Sequence, residues 1–148
     1  MILLRLFCLW PKASTIIKPG HPVKKRPKIL IVEDDALVRK TFSRLMEEEN
    51  YQVHCAENCQ PALAELERER FDLVLTDIRL GDGNGIEVLE YAKKVNPSGI
   101  VFMITGYASL DSMKEAMRKG AEDYIIKPID MSLLLIKIKN VLERRETS

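Results

Sequence analysis

The chain is poor in the residues that build disulfide frameworks and zinc centres. Among 148 residues it has three cysteines, Cys8, Cys55 and Cys59, and two histidines, His21 and His54. No Cys-x-x-Cys pair occurs, and an odd cysteine count without paired spacing points to reduced thiols and a cytoplasmic location. His54 beside Cys55 has no second pair of ligands, so Cys55 and Cys59 read as packing residues at a strand end and a helix start. The single tryptophan, Trp10, reports only on the amino-terminal lead. A membrane-spanning run is missing as well: Met1 to Trp10 is apolar, but it is interrupted by Arg5 and far too short. The same interruption, and Phe7 before Cys8, fit neither a secretory signal nor a lipoprotein cleavage site.

Acids are absent from the first 28 residues. Seven of the 23 Lys and Arg residues lie there, so the remaining 16 face all 22 acids, a net of −6 over residues 29–148. An acidic body argues against direct nucleic-acid binding by its surface. The lead also holds four of the seven prolines, Pro11, Pro19, Pro22 and Pro27. We therefore read residues 1–27 as an extended or disordered basic segment and residues 28–145 as one domain. Anchoring of the lead to a membrane surface, through its apolar tip and Lys24-Lys25-Arg26, is the weaker reading.

The body alternates strand and helix. Lys28–Val32 reads as a strand, followed by a helix over 36–50 with Leu37, Val38, Thr41, Phe42, Leu45 and Met46 as its apolar stripe. A second strand covers 51–56. Asn58 is placed to cap a helix running to about Arg70, with Leu63 and Leu66 inward and Glu65, Glu67, Arg68 and Glu69 outward. A third strand covers 72–77 and a helix follows over 86–95. The fourth strand is 100–104, with a helix from Ser109 or Leu110 to Gly120. The fifth strand is 124–126, and Asp130 caps a last helix to about Arg145. Five β-α repeats predict an α/β fold, a doubly wound five-stranded parallel sheet with five helices. In the last helix, Leu133-Leu134-Leu135-Ile136 is more apolar than one buried face needs; core is the default reading and a homodimer surface the alternative.

Ligands of such sheets bind beyond the carboxyl ends of the strands. There the sequence places Glu33 and Asp34 after the first strand, Asp77 at the end of the third, Thr105 after the fourth and Lys127 after the fifth. Each alone has a plain structural reading: a helix cap, a turn closure, a solvated lysine. Together they form a carboxylate cluster that cannot stay fully ionised alone: either one acid takes a proton or a metal binds, and for a metal, oxygen-only donors favour Mg²⁺. Metal, ammonium and hydroxyl around a carboxylate are the parts that phosphoryl transfer uses.

Four stretches carry a family resemblance: Ile29-Leu-Ile-Val-Glu-Asp-Asp35, Leu73-Val-Leu-Thr-Asp77, Met103-Ile-Thr-Gly-Tyr-Ala-Ser109 and Gly120-Ala-Glu-Asp-Tyr-Ile-Ile-Lys-Pro128. The chain resembles the receiver domain of two-component response regulators, of the nitrogen-regulation type. The resemblance implies the flavodoxin-like strand order 2-1-3-4-5. It implies that Asp77 accepts phosphoryl from a sensor histidine kinase or phosphotransfer protein. Mg²⁺ would be held by Asp34, by Asp77, by Glu33 through water and by the main-chain carbonyl of Arg79. Thr105 and Lys127 would contact the phosphoryl oxygens, Tyr124 would be an aromatic switch, and the Lys127–Pro128 bond would be cis. The output would be a downstream protein bound through the fourth helix, fifth strand and last helix. The domain would be a signalling phosphoacceptor rather than an enzyme, though one that assists its own phosphorylation and dephosphorylation.

One position departs from the family pattern. Gly81 stands where proline is usual, inside Gly81-Asp-Gly-Asn-Gly85, and predicts a looser loop. Three rivals are weaker: a phosphate-independent interaction module, which the intact acidic set speaks against; an Asp-dependent phosphatase, which wants an acid where Arg79 stands; and a flavin site, whose phosphate an acidic loop repels.

Overall fold

The computed structural model describes residues 24–148. Of the lead read as disordered or membrane-anchored over residues 1–27, residues 1–23 lie outside the described residues, whereas Arg26 donates to the Asn50 and Tyr51 carbonyls at 3.1 and 2.9 Å. The elements are β1 (Lys28–Val32), α1 (Ala36–Glu48), β2 (Gln52–Ala56), α2 (Cys59–Arg68), β3 (Leu73–Asp77), α3 (Gly85–Val95), β4 (Ile100–Thr105), α4 (Leu110–Arg118), β5 (Asp123–Ile126) and α5 (Met131–Glu146). The five strands pair in parallel in the order 2-1-3-4-5. Within the loop after β3, Arg79–Leu80 and Gly83–Asn84 form a two-residue antiparallel ribbon. None of the described helices is long and apolar enough to cross a membrane.

The strands divide their side chains between two cores by simple alternation. Leu30, Val32, Val74, Val101 and Met103 point to the core shared with α2, α3 and α4. Ile29, Ile31, Leu73, Leu75, Phe102 and Ile104 point to the core shared with α1 and α5. Three strands are therefore buried on both faces, which explains why they read as continuous apolar runs. Removing each such Leu, Ile or Phe from water contributes about 1.5–3 kcal/mol. The three central strands thus form the stiff layer from whose ends the acidic residues project.

Several expectations need correction. Leu37, assigned to the inner stripe of α1, is 75% exposed, because the stripe runs from Val38 through Phe42 to Met46 and leaves Leu37 beside it. Thr41 is exposed too and its hydroxyl donates to the Leu37 carbonyl at 2.8 Å. Cys59 is buried as a packing residue, but Cys55 is exposed. Glu65 and Glu69 turn back toward the sheet edge, where Glu65 bonds His54 Nδ1 at 3.1 Å and Glu69 accepts from Lys28 at 2.9 Å. In α5, Leu134 is buried, but Leu133 and Ile136 are 50% and 56% exposed. With Leu110, Met113 and Met117 of α4 and Ile126 of β5, they are exposed apolar side chains on the α4, β5 and α5 elements.

Two local findings concern the loop after β3. Asn58 occupies the cap position of α2, yet its side chain makes no capping bond. The cap comes from the loop instead: Asp82 accepts from Cys59 N at 2.6 Å and from Gln60 N at 2.9 Å. These bonds hold the Asp82 carboxyl below the usual carboxylate range, the Gln60 amide contributing most. The glycine-rich loop is thus tied at its tip, contrary to the looseness that Gly81 suggested. At its far end, a Cβ on Gly85 would lie 1.8 Å from the Asp77 carbonyl oxygen, a backbone atom that cannot step aside. We expect Gly85→Ala to destabilise the domain by about 3 kcal/mol or more, the upper range for overpacking, as measured by urea unfolding.

Candidate functional site

Parallel strands expose their carboxyl ends at one edge of the sheet, and the loops there bring distant residues together. Glu33 follows β1, Asp77 closes β3, Thr105 closes β4 and Lys127 follows β5. Lys127 Nζ donates to Glu33 Oε2 at 2.7 Å and to Asp77 Oδ2 at 2.9 Å, joining segments 94 and 50 residues apart. Glu33 is 3% exposed and Asp77 8%, whereas Asp34 faces solvent. Carboxylate oxygens of Glu33, Asp34 and Asp77 all lie within 4.8 Å of one another.

Main-chain amides hold the acids in place. Asp35 N donates to Glu33 Oε1 at 3.2 Å, and Arg79 N donates to Asp77 Oδ1 at 3.1 Å. Asp35 caps α1 through the Leu37 and Val38 amides, at 2.9 and 3.0 Å. Of three consecutive acids, the first two face the site and the third starts the helix. Thr105 is fully buried and its Oγ1 accepts from Tyr107 N at 3.1 Å. The Arg79 guanidinium stacks over the Tyr107 ring, 3.8 Å from its centroid, linking the loops after β3 and β4. The Lys127–Pro128 bond is cis. Tyr124 shares a hydrogen bond of 2.7 Å with Ser112 of α4.

The residues singled out at the strand ends are thus gathered at one edge. Two partners escaped the sequence reading. Arg39 donates from α1 to the main-chain carbonyls of Glu33, at 2.7 Å, and of Asp34, at 3.4 Å, and so clamps the acidic loop. Ser112, which also closes a reciprocal cap with Ser109, holds the Tyr124 hydroxyl. Spacing hints at Arg39, one turn after Asp35, but nothing in the sequence tells a carbonyl clamp from a solvated arginine.

Burial pushes the Glu33 carboxyl above the ordinary glutamate range, and the bond from Lys127 offsets only part of this. For Lys127, burial works downward, yet its bonds to Glu33 and Asp77 prevail and hold it above the usual lysine value. The ammonium therefore stays charged at any physiological pH. Three carboxylates and one ammonium carry a formal −2, and oxygen donors alone suit a hard divalent cation. The donor set fits Mg²⁺ in both charge and chemistry. A cavity of about 330 Å³, lined by residues including Arg26, Tyr51 and Lys139, contains none of these groups. Chemistry, not volume, marks the site.

Over residues 29–139 the chain matches the family described as the response regulator receiver domain. It is similar to the alginate biosynthesis transcriptional regulatory protein AlgB of Pseudomonas aeruginosa, with 35% identity over 123 residues; this covers 83% of the chain but 27% of AlgB. A response regulator receiver domain protein, described as CheY-like, from Methanospirillum hungatei JF-1 superposes with a TM-score of 0.81 at 40% identity, covering 83% of this chain and 98% of that one. The beryllofluoride-activated NtrC4 receiver domain dimer gives a TM-score of 0.74 at 28% identity, covering 80% and 98%. The chain therefore spans about a quarter of the regulator AlgB, but nearly the whole of these solved receiver structures.

A folded-state pKa that is raised for a carboxylate means the folded protein holds its proton longer than the unfolded chain, so stability falls as pH rises through that pKa. We expect Glu33→Gln to stabilise the Mg²⁺-free protein at pH 7–8, and the gain to vanish as pH falls below the carboxylate range, where the carboxyl is neutral in both states. Urea titrations across pH in EDTA measure this; a loss of stability at pH 7–8 contradicts it.

Proposed function

Because the chain belongs to the response regulator receiver family of two-component signalling, we propose that Asp77 is its phosphoacceptor and that Glu33, Asp34, Thr105 and Lys127 serve the transfer. The observation that carries this reading is the Lys127 ammonium bridging the Glu33 and Asp77 carboxylates at the ends of the strands. An Asp77 oxygen attacks the phosphorus of a kinase or phosphotransfer-protein phosphohistidine. The new P–O bond forms as the P–N bond breaks, and an acyl phosphate results. Asp77 Oδ1 is oriented by the Arg79 amide and Oδ2 by Lys127. The Thr105 oxygen already accepts from Tyr107 N, which leaves its hydroxyl proton to be donated to a phosphoryl oxygen. Mg²⁺, held by Asp34, Asp77, Glu33 through water and the main-chain carbonyl of Arg79, would supply the charge that lets an anionic phosphoryl group enter an acidic site.

Phosphorylation then shifts a pre-existing equilibrium. As Thr105 closes on the phosphoryl group, the loop after β4 follows, and Tyr124, next to Met103 in the sheet register, exchanges its bond to Ser112 for an inward position. The exposed face of α4, β5 and α5 is the surface that changes. The NtrC4 receiver is a dimer when activated, and the apolar side chains here suit a downstream protein or a second copy of this chain. The length of relatives such as AlgB beyond the receiver leaves the output of the whole protein a separate matter.

The reading is tested with acetyl phosphate and Mg²⁺. Wild type acquires one phosphoryl group by intact mass and Asp77→Ala none; equal labelling of the two contradicts the assignment. The Arg79–Tyr107 stack crowds the water that hydrolyses the acyl phosphate. The label should persist for minutes or longer in purified protein, and its loss within seconds contradicts this. A clasp of about 0.5–1 kcal/mol corresponds to a lifetime shortened about two- to fivefold in Tyr107→Ala, by phosphate release.

A further inference from the structure

The residues between Ile78 and Gly85 have to hold the Arg79 main chain against Asp77; Ile78 and Leu80 are buried in the core, but the turn beyond Leu80 is built from glycine and one aspartate. A Cβ on Gly81 would have nothing within 4 Å, so no side chain packs on the turn at that residue. The ribbon between Arg79–Leu80 and Gly83–Asn84 is two residues long and ends at that turn. Its base is fixed, because Gly85 N donates to the Ile78 carbonyl at 2.7 Å. Its tip is fixed by Asp82, whose two oxygens take the Cys59 and Gln60 amides. A Cβ on Gly83 would come 3.1 Å from Cys59 Cβ, so the ribbon lies directly against the first residue of α2.

Asp82 does this in place of a local residue. Asn58 stands at the α2 cap position, and its Oδ1 is buried without a partner. The amides that start α2 are satisfied from across the loop, so the cap of the helix and the clamp on the loop are one interaction. A cap from Asn58 would serve α2 equally and leave the loop untied.

We propose that Asp82 is a positioning residue for the phosphoacceptor site: by pinning the loop tip to α2, it holds the Arg79 amide on Asp77 Oδ1 and presents the Arg79 main chain to the metal. Lever and load are adjacent, since Arg79 pairs with Asn84 in the ribbon whose turn carries Asp82. The inference rests on the reading of Asp77 as an Mg²⁺-dependent phosphoacceptor.

The test uses the full chain and Mg²⁺ alone, titrated while amide chemical shifts are followed, with hydrogen exchange at Cys59 and Gln60 reporting the α2 cap. Three proteins are compared: wild type, Asp82→Ala and the double variant Asn58→Asp with Asp82→Ala. The double variant returns a carboxylate to the helix start at unchanged net charge but unties the loop. Asp82→Ala should bind Mg²⁺ about tenfold more weakly, as loss of a supporting partner around a metal site does, and should lose protection at Cys59 and Gln60. The double variant should regain that protection and keep the weak Mg²⁺ binding. Binding within about twofold of wild type in Asp82→Ala, or return of wild-type affinity in the double variant, overturns the proposal. Wild type that neither binds Mg²⁺ nor takes phosphoryl from acetyl phosphate overturns the Asp77 reading itself.

Discussion

One ammonium group between two buried carboxylates organises this end of the molecule. Lys127 sits within hydrogen-bond distance of both Glu33 and Asp77 and halves their formal charge. An unpaired buried carboxylate costs several kcal/mol, so the lysine makes the cluster tolerable in the folded state. It does not make it neutral. Burial keeps the Glu33 carboxyl above its ordinary range despite the bond from Lys127, and the formal negative charge left over suits the site to a divalent cation. Stability is given up where binding is needed, a common arrangement at functional sites.

The rest of the fold supplies rigidity behind that edge and adjustable contacts in front of it. The central strands are sealed on both faces by side chains that leave no freedom to slide. The loops after β3 and β4 lie in front of that edge. Beside the packing of Leu80 in the core, the loops are restrained by a few directional contacts. Asp82 ties one to α2, the Arg79–Tyr107 stack ties the two together, and Tyr107 N leans on Thr105. Hydrogen bonds and a cation–π stack can be exchanged one for another at small net cost, whereas a packed core cannot be rearranged piecemeal. If Asp77 takes a phosphoryl group as proposed, that group would act on the loops, and through Tyr124 and Ser112 on α4, rather than on the sheet.

Much of this was legible before any coordinates. The continuous apolar runs of β1, β3 and β4 showed that these strands are covered on both faces, and the turn residues at their ends located the acids. What escaped was of one kind: contacts between residues far apart in the chain that no periodicity encodes. Asn58 looked like the cap of α2 because capping is normally local, and the cap came from Asp82. Gly81 looked like slack because glycine is flexible when nothing restrains it, and the restraint lay at the next residue. Leu133 and Ile136 were read as core by default, with a dimer surface as the alternative, because sequence counts apolar residues but does not show which of them α5 turns outward.

Strand and helix identities, their alternation and the four segments that supply the acidic edge follow from local patterning, because period and turn chemistry act over a few residues. The convergence of Glu33, Asp77 and Lys127 on one point, the clamp of Arg39 and the borrowed cap of Asp82 arise only when the sheet stacks its strands side by side. These are distances between atoms from separate segments, and the chain's order alone leaves such distances open.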